Sequence, residues 1–283
     1  MDPVQIPVFD PPPDIRLIVA DMDGTLLDDE KELHAHFWPL VRELIRREVL
    51  FCPASGRQYY TLLDQFADVA DDMVFIAENG SYVVRGGVEI SSDCLPQDDA
   101  RRLVGALREI IAAGADAGVV LCSKRSAFVE RSDRPFLAGV EPYYRRLQIV
   151  DDLLDVIDGE VLKIAVYDLE STERNIEPDL ASFQHTHQVT VSGEHWLDVT
   201  SRTANKGRAI VHLQDAMGIT AAQTMVFGDF LNDLEMMDAA DYSFAMDNAH
   251  PLLRERARYV APPNSENGVV RTISSVLGLP WLD

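Results

Sequence analysis

The sequence predicts an α/β protein: a doubly wound, Rossmann-like parallel sheet with an α+β unit inserted into it. Three observations predict it. Apolar runs read as strands buried on both faces. They alternate with helical patterns at both ends of the chain. Between those ends the rhythm changes to hairpins and short strands.

The first strand is Ile15-Arg16-Leu17-Ile18-Val19-Ala20, which, Arg16 apart, is apolar on both faces and suits the centre of a parallel sheet. A helical pattern follows, with Phe37, Leu40, Val41, Leu44 and Ile45 on one face. A strand over 49–53, a helix near 59–66 and a strand over 73–77 complete a βαβαβ beginning, which implies right-handed crossovers. The rhythm changes at Glu78-Asn79-Gly80. Residues 81–84 and 88–90 flank Gly86-Gly87 as a hairpin. Next comes an amphipathic helix carrying Leu103, Val104, Leu107, Ile110 and Ile111, then short strands at 119–123, 127–129, 162–167 and 188–192. From about Trp196 the α/β rhythm is expected to resume: helix 207–217, strand 224–227, helix 232–239 and strand 242–245. A short strand near 258–260 and a helix near 269–277 close the chain. The expected domains are therefore a discontinuous core, 1–83 and 194–283, and an insert, 84–193.

Composition narrows the function. A net charge of −22 over 283 residues argues against sequence-independent binding to nucleic acid or to an anionic membrane. An anionic substrate must then be drawn by a local positive site. The three cysteines, Cys52, Cys94 and Cys122, have no C-x-x-C spacing, so neither a disulfide scaffold nor a zinc site is expected. The first fourteen residues are acidic and proline-rich and do not read as a signal peptide, and no apolar stretch is long enough to cross a bilayer. The expectation is a cytoplasmic protein, monomer or homodimer, whose partner is a small molecule.

The chemistry is concentrated at strand ends. Asp21-Met22-Asp23-Gly24-Thr25 follows the first strand directly, and Gly228-Asp229-Phe230-Leu231-Asn232-Asp233 follows Thr224-Met225-Val226-Phe227. In parallel sheets ligands gather outside the carboxyl ends of strands. Acids there, with Lys206 opening a helical stretch, make a site for a hard divalent cation and an anion; magnesium prefers such oxygen ligands. A calcium loop is the competing reading of Asp21 and Asp23. Its sixth position is Leu26 rather than glycine, and a strand precedes it, which speaks against that reading.

Taken in order, Asp21-Met22-Asp23-Gly24-Thr25, Ser55-Gly56-Arg57, Lys206 and Gly228-Asp229-x-x-Asn232-Asp233 resemble the haloacid dehalogenase (HAD) superfamily of aspartate-nucleophile phosphatases. With Glu78-Asn79-Gly80 ahead of a long insert, the chain is similar to the Cof-type branch, which carries a large α/β cap. The resemblance implies a Mg2+-dependent phosphatase that hydrolyses small phosphomonoesters (a sugar phosphate, a nucleotide or a phosphorylated cofactor) through an aspartyl-phosphate. Asp21 is the implied nucleophile, Asp23 the general acid with a raised pKa, and Lys206 the charge that offsets the phosphate. Metal ligands are implied at Asp21, Asp229 and the Asp23 carbonyl. Asn232 and Asp233 would act through waters or a bond to Lys206. Phosphate and substrate contacts are implied at Gly24, Ser55, Gly56, Arg57 and Asn232, and the cap would choose the substrate, with Arg125, Arg131, Arg145 and Arg146 among the candidate readers. Two positions depart from the family pattern: Asp247 stands where Met-Gly-Asn is usual, and Phe230 where a small polar residue is frequent.

The same residues would serve a phosphomutase or phosphotransferase. A receiver-like signalling module also uses acids, magnesium and a lysine, but lacks both a second acid two residues on and a large insert.

Overall fold

A computed structural model describes residues 4–279. The chain runs β1 (Leu17–Asp21), α1 (Phe37–Arg46), β2 (Leu50–Ala54), α2 (Tyr59–Gln65), β3 (Val74–Ala77), β4 (Tyr82–Arg85) and β5 (Val88–Ser92). It continues through α3 (Gln97–Ala112), β6 (Ala117–Ser123), β7 (Ala127–Val129), α4 (Arg134–Val140), β8 (Leu147–Ile149), β9 (Val161–Asp168), α5 (Thr172–Asn175), β10 (His187–Val191) and β11 (Trp196–Ser201). Last come α6 (Lys206–Met217), β12 (Thr224–Gly228), α7 (Leu234–Asp238), β13 (Tyr242–Met246), α8 (Pro251–Arg256), β14 (Tyr259–Ala261) and α9 (Gly268–Val276).

Two compact units divide these elements. The first holds the chain up to Gly56, Phe66–Ser91 and the residues from Asn205 onward; the second holds Arg57–Gln65 and Ser92–Ala204. In the first unit the sheet order is β14-β13-β12-β1-β2-β3-β4-β5. Every pairing from β14 to β3 is parallel, and β4 returns antiparallel on β3. β1 lies between β2 and β12, and Leu17, Ile18, Val19 and Ala20 are 0% exposed, as its unbroken apolar run requires. Register then positions the chemistry. Asp21 stands opposite Ala54, and Ala20 opposite Phe227, so the residues after β1, β2 and β12 emerge side by side at one end of the sheet. α1 buries Phe37, Leu40, Val41 and Leu44, a spacing of one helical face. Its Phe37 ring meets Phe51 of β2 at 5.3 Å and Phe66 at 5.7 Å. Truncating so buried a ring to alanine costs roughly 3–5 kcal/mol.

The second unit is built on the sheet β10-β11-β9-β6-β7-β8, antiparallel except for the β7–β8 pair. Alternation sorts its side chains onto two faces. Leu121, Ile164, Val166, Leu197 and Val199 pack with Leu103, Val104 and Leu107 of α3. Val120, Cys122 and Ala165 pack with Phe136 and Val140 of α4 and with Tyr144.

The boundaries differ from those expected at 84 and 193. The hairpin β4–β5 extends the first sheet, carrying that unit to Ser91. The strand beginning at Trp196 belongs to the second sheet, where β11 pairs with both β10 and β9. Residues 57–65, expected in the core, group with the second unit through specific bonds. The Gln58 side chain both donates to and accepts from the Arg146 backbone at 2.9 Å. Thr61 Oγ1 donates to the Tyr143 carbonyl at 3.1 Å, and the Arg146 guanidinium lies 3.5 Å from the Tyr60 ring centre. Among the described residues no helix is long and apolar enough to cross a membrane.

Candidate active site

The site grows from the end of β1. Asp21, its last residue, is 7% exposed. The chain then turns back on itself: the amides of Leu26 and Leu27 donate to the carbonyls of Asp21 (3.1 Å) and Met22 (2.9 Å). Gly24 makes this turn with φ of 83°, and a Cβ there would stand 2.8 Å from Asp229 Cγ. Only glycine meets both demands. Thr25 Oγ1 donates to Asp229 Oδ1 at 2.9 Å, tying the loop after β1 to the loop after β12.

Lys206 closes the group. It opens α6, whose N-cap Asn205 accepts the Arg208 amide at 2.7 Å and so fixes where the helix begins. Its side chain is 1% exposed. Its ammonium donates to Asp21 Oδ1 and, at 2.7 Å, to Asp233 Oδ1. Asp233, 0% exposed, accepts with its other oxygen from the amides of Asp229 (3.1 Å) and Phe230 (3.3 Å). Both Asp233 oxygens are thus engaged within the protein. This carboxylate orients the lysine and shapes the loop.

Electrostatics follow from three acids around one cation. Burial, with Asp233 and Asp229 adding to it and Lys206 opposing it, holds the Asp21 carboxyl well above the usual carboxylate range. Burial, then Asp233, pushes Asp229 up to about 6. For Lys206 burial acts downward, but Asp21 and Asp233 outweigh it and hold the ammonium above its ordinary value. Asp21, Asp229 and Asp233 can each offer a carboxylate oxygen within 4.8 Å of the others. The donors are hard and anionic, and Asp21 and Asp229 are held above the usual carboxylate range by burial and then by neighbouring negative charge, which a cation relieves. The cluster therefore fits a magnesium ion, with Asp21 and Asp229 the carboxylates left to hold it.

Other expected residues stand as follows. Asp23 is 43% exposed at its side chain, and the Lys31 ammonium is 3.1 Å away. The Asp23 side chain is thus half-exposed, whereas Asp21 is buried. Ser55 is buried, its amide donating to Ile76 and its carbonyl accepting from Asn79, each at 2.9 Å. Gly56 lies beneath the Asn79 side chain, and Asn232 is exposed with Nδ2 3.5 Å from Asn79 Oδ1. Arg57 belongs to the second unit and donates to Gln65 at 3.3 Å. Arg125 pairs with Asp158, Arg131 with Asp116 and Arg145 with Asp64, so these candidate readers hold acids of their own unit.

The two departures also find a place. Asp247 has no positive φ and pairs with Arg254 at 2.8 Å, so glycine is not needed there. Asn248 donates to the Gly24 carbonyl at 2.8 Å and accepts the Asn264 amide at 3.1 Å, latching the loop after β1. Phe230 is 55% exposed and meets the His250 ring edge-on at 5.8 Å. Sequence reasoning gave no role to Thr25, Asn79 or Asn205. Thr25 and Asn79 lie inside Asp21-Met22-Asp23-Gly24-Thr25 and Glu78-Asn79-Gly80, and that placement is the signal that could have found them.

This sheet and this end-of-strand cluster define a class. A sequence profile of haloacid dehalogenase-like hydrolases matches residues 18–273, and the chain belongs to that family. It falls among the phosphatases, the hydrolases of phosphoric monoesters. The 5-amino-6-(5-phospho-D-ribitylamino)uracil phosphatase YbjI of Escherichia coli is 31% identical over 266 residues, covering 93% of this chain and 96% of that protein. The Bacillus subtilis phosphatase YwtE, named for the same compound, is 24% identical, covering 93% and 98%. Among solved structures, a haloacid dehalogenase-like hydrolase from Bacteroides thetaiotaomicron superposes with a TM-score of 0.81 at 21% identity, covering 93% of this chain and 99% of that one. A Thermotoga maritima protein superposes with a TM-score of 0.80 at 23% identity, covering 95% and 98%. At such identities these two structures speak for the fold alone.

Proposed function

We propose that the protein is a magnesium-dependent phosphatase that hydrolyses a small phosphomonoester through an aspartyl-phosphate on Asp21. The observation that carries this is the buried bridge in which Lys206 holds Asp21 by one oxygen and Asp233 by another. A carboxylate fixed through Oδ1 can present its second oxygen to phosphorus without a partner base. Lys206 stays protonated between the acids and reduces the repulsion between carboxylate and phosphate. Magnesium, held by Asp21, Asp229 and the Asp23 carbonyl, would supply further positive charge and orient the phosphate.

The reaction has two displacements. An Asp21 oxygen forms a bond to phosphorus as the ester oxygen leaves, and Asp23 gives that oxygen its proton. A water then loses a proton to Asp23 and attacks phosphorus, releasing inorganic phosphate and restoring the Asp21 carboxylate. Asp23, exposed beside Lys31, must turn from that ammonium toward the ester oxygen to serve. Ser55 Oγ and the Gly56 amide are the proposed donors to the phosphoryl oxygens, whose charge grows in the transition state.

For the substrate we propose a phosphomonoester of an extended polyol or sugar. The compound in the names of YbjI and YwtE, a ribityl phosphate attached to a pyrimidine, is the first candidate. The second unit is proposed to select the leaving group. The test is phosphate release from a panel of phosphorylated metabolites with and without magnesium, ranked by kcat/KM. The reading requires metal-dependent release that Asp21→Asn abolishes. Release that is indifferent to both metal and Asp21 would sink it.

A further inference from the structure

After β3 the chain makes a turn that the reaction as described does not use. Glu78, Asn79 and Gly80 have φ of 51°, 57° and 98°, three left-handed residues in succession. Left-handed backbone outside glycine persists only where the surroundings hold it, and it gathers at functional sites. The surroundings here are the segments assigned to the phosphate. The Asn79 amide donates to the Ser55 carbonyl at 2.9 Å. Its side chain rests on Gly56: a Cβ there would lie 3.0 Å from Asn79 Oδ1 and 3.1 Å from Nδ2. Asn79 Oδ1 is 3.5 Å from Asn232 Nδ2, across 153 positions of sequence. Gly80 abuts the Asn205 carbonyl, and a Cβ on it would stand 2.8 Å from the Lys206 nitrogen. One turn therefore touches the loop after β2, the start of α6 and the loop after β12.

We infer that Asn79 is a positioning residue: its amide sets the Ser55–Gly56 loop against Asn232, so that one phosphoryl group meets both. The inference rests on the proposed phosphatase reading and adds a residue to it. Residue type agrees with the role. Asparagine tolerates the left-handed region and offers a neutral oxygen to Asn232. Aspartate would tolerate the backbone equally but would place a negative charge beside the phosphate.

Asn79→Gly tests this in the full-length protein, because it keeps the left-handed backbone and deletes only the amide. Loss of one such contact is expected to raise both KM and the inhibition constant of inorganic phosphate about tenfold. The magnesium concentration for half-activation and the Tm should stay at wild-type values, since the Asn79 side chain meets Gly56 and Asn232. Gly56→Ala supplies a second readout: the added methyl presses on the Asn79 amide and should weaken phosphate inhibition in the wild type, but much less in the Asn79→Gly background. Unchanged KM and phosphate inhibition in Asn79→Gly would overturn the inference. So would a Gly56→Ala penalty of equal size in both backgrounds, or a lower Tm accompanied by wild-type KM and phosphate inhibition. Failure of the phosphatase reading itself is distinguishable, because the wild type would then neither release phosphate nor be inhibited by it.

Discussion

Lys206 and Asp233 form a 2.7 Å ion pair in which the lysine is 1% and the aspartate 0% exposed, and the same ammonium also holds Asp21. A buried pair of this kind adds little net stability, because desolvation offsets most of the attraction. Removing one partner is another matter.

Lys206→Met keeps length and burial but leaves Asp21 and Asp233 without a counter-charge. The expected cost is about 3–5 kcal/mol of stability, and at least a thousandfold in kcat, about 4 kcal/mol of barrier. Adding Asp233→Asn should recover part of the stability and none of the activity, because it removes one stranded charge. Urea unfolding and steady-state kinetics on the single and double variants check this. Wild-type stability in Lys206→Met would show that the bridge is not what keeps the acids buried.

Asp229 gives a prediction with a definite sign. Its carboxyl is pushed from the ordinary 3.8 up to about 6 by burial and Asp233. Between those values the folded chain holds a proton that the unfolded chain releases. Stability from this group is therefore full below about 4 and lost as pH rises through 6. Asp229→Asn removes that loss. With metal chelated, the variant should be more stable than wild type at pH 7.5, by on the order of 1–2 kcal/mol, and the difference should vanish near pH 4. Magnesium should restore wild type and do nothing for the variant. Thermal unfolding across pH, with chelator and then with magnesium, is the measurement. A variant less stable than wild type at pH 7.5 under chelation contradicts the assignment.

Thr25 holds Asp229 from the opposite loop by a 2.9 Å hydrogen bond. Thr25→Val keeps the shape and deletes the donor. Loss of such a support commonly weakens metal binding by 10- to 100-fold. The expected result is a magnesium requirement raised about tenfold, with kcat at saturating metal close to wild type. An unchanged magnesium curve would remove Thr25 from the account.

Much of the first unit was legible because a strand buried on both faces advertises itself. Leu17–Asp21 is apolar until its final carboxylate, and no local rule competes with that reading. Partners were not legible. The hairpin β4–β5 and the strand Trp196–Ser201 show the same alternation whichever sheet they join, so both boundaries shifted once pairing was known. The acids of the site were readable from their place after strands, but their environments were not. Asp23 is exposed beside Lys31, while burial, with like charge added, raises Asp21 and Asp229. Thr25 and Asn79 stayed silent because their bonds reach across 204 and 153 positions, a distance no window of sequence spans.

The central claim is that turnover phosphorylates Asp21. Rapid quenching of the enzyme during turnover, treatment with hydroxylamine and mass spectrometry of the peptide containing Asp21-Met22-Asp23 tests it most directly. The expected product is a hydroxamate at Asp21, dependent on substrate and abolished by Asp21→Asn. Brisk phosphate release with an unmodified Asp21, or the adduct on Asp23 or Asp229, would contradict it.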